Sequence, residues 1–130
     1  LDCRAAARIT GPLLWRDMRS GDQVCRPEEL GDVILGRKDC AASYHIAVVV
    51  DDAAQGVTHV SRGEDLFPVT GIHRTLQALL GLPVPQWYHH RLVKDASGKR
   101  LAKRDRSLSL QEMRAAGMRP EDVFRLMRES

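Results

Sequence analysis

The stretch Tyr44-His45-Ile46-Ala47-Val48-Val49-Val50-Asp51-Asp52-Ala53-Ala54-Gln55-Gly56-Val57-Thr58-His59-Val60-Ser61-Arg62-Gly63-Glu64-Asp65-Leu66 decides how this chain is read. Its opening, Ser43 to Val50, is a β-branched run whose continuity predicts a strand buried on both faces. Asp51 to Gly56 then reads as a short helical turn closed by glycine. By residue type alone the Asp51-Asp52 pair fits a carboxylate dyad, a magnesium site or a turn cap. Val57 to Ser61 predicts a further strand, and upstream Asp32 to Lys38 predicts another.

Working outward, Ile72, Leu76, Leu79 and Leu80 share one helical face. Thr70 is placed as the N-cap and Gly81 as the C-terminal glycine. Gln86 to Val93 predicts a strand, and Lys94 to Arg106 a polar loop with five basic residues between Lys99 and Arg106. Ser109-Leu110-Gln111-Glu112 is a capping box opening a helix that Gly117 ends, and Pro120 starts a last helix with Val123, Phe124 and Met127 as its stripe. Leu1 to Arg26 shows only turn signals around Leu13-Leu14-Trp15. Strand, helix, strand, basic loop, helix is α/β grammar.

The size, 130 residues, suits one domain, and 43% apolar with 28% charged residues excludes disorder, collagen and coiled coil. The longest unbroken apolar stretch, Ile46 to Val50, is far shorter than the ~20 residues that cross a bilayer. No membrane association and a cytoplasmic location are expected. Cys3, Cys25 and Cys40 are widely spaced and read as reduced thiols. The net charge of +3 is too small for bulk attraction to nucleic acid, so phosphate contacts should be local to the basic loop. Of the 20 basic residues 16 are arginine, whose planar fork suits phosphate and carboxylate.

The quoted segment, with Leu76-Gln77-Ala78-Leu79-Leu80-Gly81-Leu82-Pro83 after it, resembles the second half of the class I catalytic domain in the glutamyl-tRNA synthetase group. Within the group it is most similar to the branch that lacks an anticodon-binding domain and places glutamate on queuosine in tRNA(Asp). The resemblance implies an α/β fold, part of a Rossmann-like domain whose C-terminal half carries a KMSKS-type loop. No His-Ile-Gly-His tetrapeptide occurs in the sequence, so residues 1–130 are expected to be one partial catalytic domain without its first half. The family's zinc cluster is likewise expected outside this chain.

The resemblance also implies roles. Tyr44 and Arg62 match binders of L-glutamate, Arg62 through its side-chain carboxylate. The type is apt, because a carboxylate in a dry pocket calls for a fixed cation with bidentate geometry. By residue type alone, a Tyr at a strand start is a half-buried core ring and an Arg at a strand end is solvated. Lys103 takes the place of the second lysine of the KMSKS-type stretch and is the catalytic candidate, meeting ATP phosphates as pyrophosphate leaves. Arg100 stands where the first lysine is usual and Ala102 where a serine is usual. Arg100, and the backbone around His90 and Leu92, complete the expected ATP site.

The expected substrates are ATP with Mg²⁺, L-glutamate and tRNA(Asp), used by a monomer with no protein-held metal in this chain. The rival readings are a fragment of a glutamyl-tRNA synthetase charging a tRNA 3′ end and a non-catalytic nucleotide- or RNA-binding remnant. His45 and His59 fall in strand patterns, His73 on a helix, and His89 and His90 on opposite faces of a strand. Structural roles are expected for all five.

Overall fold

The computed structural model describes residues 1–94 and 109–129. It divides into two compact units, Leu1–His90 and Arg91–Ser130.

The first unit contains helix α1 (Cys3–Thr10), strands β1 (Leu14–Asp17) and β2 (Gly21–Val24), helix α2 (Tyr44–Ala54), strand β3 (His59–Gly63), helix α3 (Thr70–Leu80) and strand β4 (Gln86–His90). Four strands form one sheet in the order β2-β1-β4-β3. β1 and β2 are an antiparallel hairpin, whereas β4 runs parallel to both β1 and β3. The parallel pairing of β3 with β4 is what α3 makes possible, since a parallel neighbour needs a crossover between strands. Register sets Val60 against Trp87 and Arg62 against His89.

Alternation along each strand chooses which side chains face inward. Trp15 and Asp17 on β1, Trp87 and His89 on β4, and Arg62 on β3 are buried, while their sequence neighbours on β1 and β4 are exposed. Trp15 meets Phe67 and Trp87 edge to face at centroid separations of 4.9 and 5.6 Å. A second apolar cluster joins the helices: Cys3 of α1, Val49 of α2, and Ile72 and Leu76 of α3, with Val33, Leu35 and Ile46 packed against them.

Two expected strands are absent. Of Ser43 to Val50, Ser43 is the N-cap and the rest lies in α2, a helix that begins at Tyr44. An unbroken apolar run hides the helical period, and valine costs only ~0.5 kcal/mol more than alanine in a helix. Burying Val49 to 2% exposure is worth more than that, about 2 kcal/mol. Asp32 to Lys38 is irregular. The backbones of Val33 and Leu1 bond each other in both directions, and the Ser43 amide donates to the Leu35 carbonyl. The alternation of Val33 and Leu35 was therefore a sign of burial, with no ladder to join.

The strand readings at Val57–Ser61 and Gln86–Val93 correspond to β3 and β4 with shifted ends. α3 ends as expected at Gly81, left-handed at φ 64°. There the Leu82 amide reaches back to the Gln77 carbonyl at 2.9 Å. Thr70 is not the N-cap, which is Val69; it is the first helical residue, and its hydroxyl is used elsewhere. Leu1 to Arg26, from which no element was expected, supplies α1, β1 and β2.

In the second unit, helix α4 (Leu110–Ala115) opens with the expected capping box. Ser109 Oγ accepts from the Glu112 amide at 3.2 Å, and Glu112 accepts from the Ser109 amide at 2.8 Å. Helix α5 (Pro120–Glu129) starts at Pro120.

Candidate active site

Arg62 is the centre of a buried polar cluster built from five elements. β3 carries the guanidinium inward at 9% exposure. Its Nε donates to His89 Nε2 of β4 at 3.0 Å, and Nη1 donates to His73 Nδ1 of α3 at 3.0 Å. Nη2 donates to Thr70 Oγ1 at 2.6 Å and to the Leu66 carbonyl at 3.4 Å. His73 Nε2 lies 3.1 Å from His45 Nδ1 of α2, and His89 Nδ1 lies 2.7 Å from Asp17 Oδ2 of β1.

These bonds fix every proton in the chain of groups. A guanidinium only donates, so His89 Nε2 and His73 Nδ1 must both accept. His89 therefore carries its proton on Nδ1 and donates a hydrogen bond to Asp17, and His73 carries its proton on Nε2 and donates a hydrogen bond to His45. Burial holds His73 neutral by driving its pKa from 6.5 down to about 3, with the Arg62 charge acting in the same direction. Burial also lowers His89 and His45, although the bond to Asp17 opposes this for His89. Burial would raise the Asp17 carboxyl, but bonds from the His89 ring and from the Ser20, Arg19 and His89 amides outweigh it and hold the group ionised.

The consequence is a buried cation whose four direct acceptors, two neutral imidazoles, a hydroxyl and a carbonyl, carry no formal charge. Burial pulls the Arg62 pKa down, and Tyr44, Asp52 and Asp65 oppose that. Such an arrangement suits an incoming anion, because a charge taken out of water is costly until it is paired.

Tyr44 begins α2, half exposed, with its ring edge-on to His45 and His73 at 5.7 Å from each. The structure thus brings Tyr44 and Arg62 together, from positions that the sequence keeps 18 residues apart. His90 is exposed at the end of β4, and Leu92 is half-buried in the second unit. Arg100 and Lys103 lie outside the described residues. Among the described residues, no group of three or more His, Cys, Asp or Glu could hold a metal ion, and no helix is long and apolar enough to cross a membrane.

Sequence reasoning treated His45, His73 and His89 as structural and did not single out Asp17 or use Thr70 for its hydroxyl. No sequence signal joins them. Their convergence depends on the β1-β4-β3 order and on α2 being a helix.

Comparison with known proteins identifies the family. Residues 3–129 match the family model described as the catalytic domain of class I tRNA synthetases (E and Q). A glutamyl-Q tRNA(Asp) synthetase of Rhodobacter capsulatus is 53% identical over 120 residues, which cover 91% of this chain and 42% of that protein. A glutamate–tRNA ligase 2 of a Nitratiruptor species is 34% identical over 124 residues, covering 95% of this chain and 27% of that protein. Among solved structures, a glutamate tRNA ligase from Elizabethkingia meningosepticum in complex with its amino acid superposes with a TM-score of 0.62 at 27% identity, covering 82% of this chain and 20% of that one. This chain thus spans less than half the length of each of these relatives, and with its mixed sheet and crossover helix it belongs to the family of class I tRNA synthetase (E and Q) catalytic domains.

Proposed function

We propose that this chain is the amino-acid-recognising part of a ligase that activates L-glutamate with ATP and transfers it to queuosine in tRNA(Asp). The observation that carries the reading is the buried Arg62 guanidinium, held by neutral acceptors and interacting with the half-exposed Tyr44. Arg62 pairs with the side-chain carboxylate of glutamate, and the Tyr44 hydroxyl completes the contact. The other carboxylate attacks the α-phosphate of ATP, forming glutamyl-adenylate and releasing pyrophosphate. Charge builds on phosphate oxygens in that step, and Lys103 and Arg100 stabilise it; a cation that meets this charge late in the reaction lowers the barrier more than one bound equally throughout. The backbone at His90 and Leu92 holds the adenine. Mg²⁺ accompanies the nucleotide.

The transfer to queuosine rests on the relatives of that name, at 42 to 53% identity. The test is glutamate-dependent ATP–pyrophosphate exchange by the full-length protein without tRNA. Exchange is expected for the queuosine-modifying ligase, whereas exchange only with tRNA added supports an enzyme that charges a tRNA 3′ end. ATP or tRNA binding without turnover under either condition supports a non-catalytic remnant. In the same assay Arg62→Ala should raise the glutamate KM by ~100-fold or more, as expected for a desolvated charge pair. An unchanged KM rejects the role of Arg62.

A further inference from the structure

We propose that His89 and Asp17 are a positioning pair that aims Arg62 at its carboxylate, with no carboxylate among the described residues bonded directly to the guanidinium. The inference rests on the reading of Arg62 as the glutamate contact. Its own support is geometric. Asp17 is 1% exposed and its four acceptor positions are all taken: Oδ1 by the Arg19 and Ser20 amides at 3.0 and 2.7 Å, Oδ2 by the His89 amide and Nδ1 at 3.2 and 2.7 Å. The carboxylate is thereby locked to the β1–β2 turn and to the β4 backbone. It locks His89, 2% exposed, in turn, and His89 Nε2 accepts the hydrogen bond from Arg62 Nε.

A direct Asp–Arg bond would satisfy the cation internally and close it to an external carboxylate. Interposing one imidazole separates the two tasks. The Asp52 and Asp65 charges steady the buried cation at a distance, and the imidazole held by Asp17 fixes the orientation of the guanidinium plane through Nε. Thr70 and His73 hold the other edge from α3. A group oriented through two successive buried hydrogen bonds loses little further freedom when it binds, which is where preorganised contacts gain affinity.

The test uses His89→Ala and His89→Gln in the full-length protein. In exchange assays, His89→Ala should raise the glutamate KM at least about tenfold, with the ATP KM within about twofold of wild type. His89→Gln, whose Oε1 can accept from Arg62 in place of Nε2, should restore most of the loss. A glutamate KM unmoved by His89→Ala, or glutamate and ATP KM values rising together without rescue by Gln, overturns the proposal.

A second measurement needs no variant to fold. Histidine ¹⁵N spectra of the unmodified, labelled chain should show His89 protonated on Nδ1 and not on Nε2, together with a slowly exchanging Arg62 Nε proton. An Nε2-protonated His89 overturns the pair whatever the kinetics. The two readings fail separately: an Arg62→Lys variant with unchanged glutamate KM rejects the substrate role of Arg62, while the spectra judge the pair itself.

Discussion

Acidification from pH 7.5 to 5.0 should destabilise the folded chain through His73. This imidazole is 2% exposed, accepts a hydrogen bond from Arg62, and has its pKa pushed from 6.5 to about 3. Because the folded pKa lies below the unfolded one, the unfolded chain takes up the proton first as pH falls. Stability from this group is therefore complete above about pH 6.5 and is lost progressively down to about pH 3, at a limiting ~1.4 kcal/mol per unit. Between pH 7.5 and 5.0 the loss comes to ~2 kcal/mol, and it scarcely changes for any folded value below about 4. That is a substantial share of the ~5–15 kcal/mol stability of an ordinary domain.

His45 and His89, also lowered, add in the same direction. Asp17 acts in a different window, since its contribution is lost only as pH falls through and below its ordinary value of 3.8. The assay is urea unfolding followed by the fluorescence of Trp15 and Trp87, both buried in the fold. The reference is His73→Asn, whose Oδ1 can accept from Arg62 but takes up no proton. The variant should lose ~2 kcal/mol less than wild type over the same pH interval. Equal losses in the two proteins would refute the reasoning.

Other outcomes can be checked alongside. Leu76→Ala, at 3% exposure in the cluster that joins α1, α2 and α3, should cost about 2–5 kcal/mol in the same urea titration; a loss below about 1 would mean the cluster is looser than described. Gly81→Ala places a side chain at φ 64° with nothing within 4 Å of the new Cβ, so its cost is conformational alone and should be about 1 kcal/mol, visible as a lower urea midpoint. Residues 1–130 by themselves should show no glutamate-dependent pyrophosphate exchange, because the relatives they match are more than twice as long; measurable turnover by the purified chain would contradict this.

Reading the sequence worked wherever the structural signal is local. The Gly81 terminus of α3, the Ser109–Glu112 capping box and the Pro120 helix start are each set by contacts within a few residues, so the spacing carries them; of the α3 face, Ile72 and Leu76 are buried while Leu79 and Leu80 are exposed. It failed at Ser43–Val50, because a fully apolar run has no period to distinguish a helix from a strand, and valine's preference is worth less than what tertiary burial returns. Thr70 was misplaced by one position because its hydroxyl is occupied by Arg62 and the Leu66 carbonyl, partners that a capping rule does not consider.

For the site, the sequence by itself singled out Tyr44 and Arg62 as candidates through a resemblance, since a motif is a property of residue types at fixed spacing. The tertiary structure alone decided what surrounds them. Asp17, His73 and His89 stand 45, 11 and 27 positions from Arg62 along the chain. Only the placement of β4 between β1 and β3, with α2 and α3 packed together, brings them within hydrogen-bond reach. The charge state of that cluster is equally a tertiary property, because burial and the donor-only guanidinium, rather than the identity of the histidines, hold the imidazoles neutral around the cation.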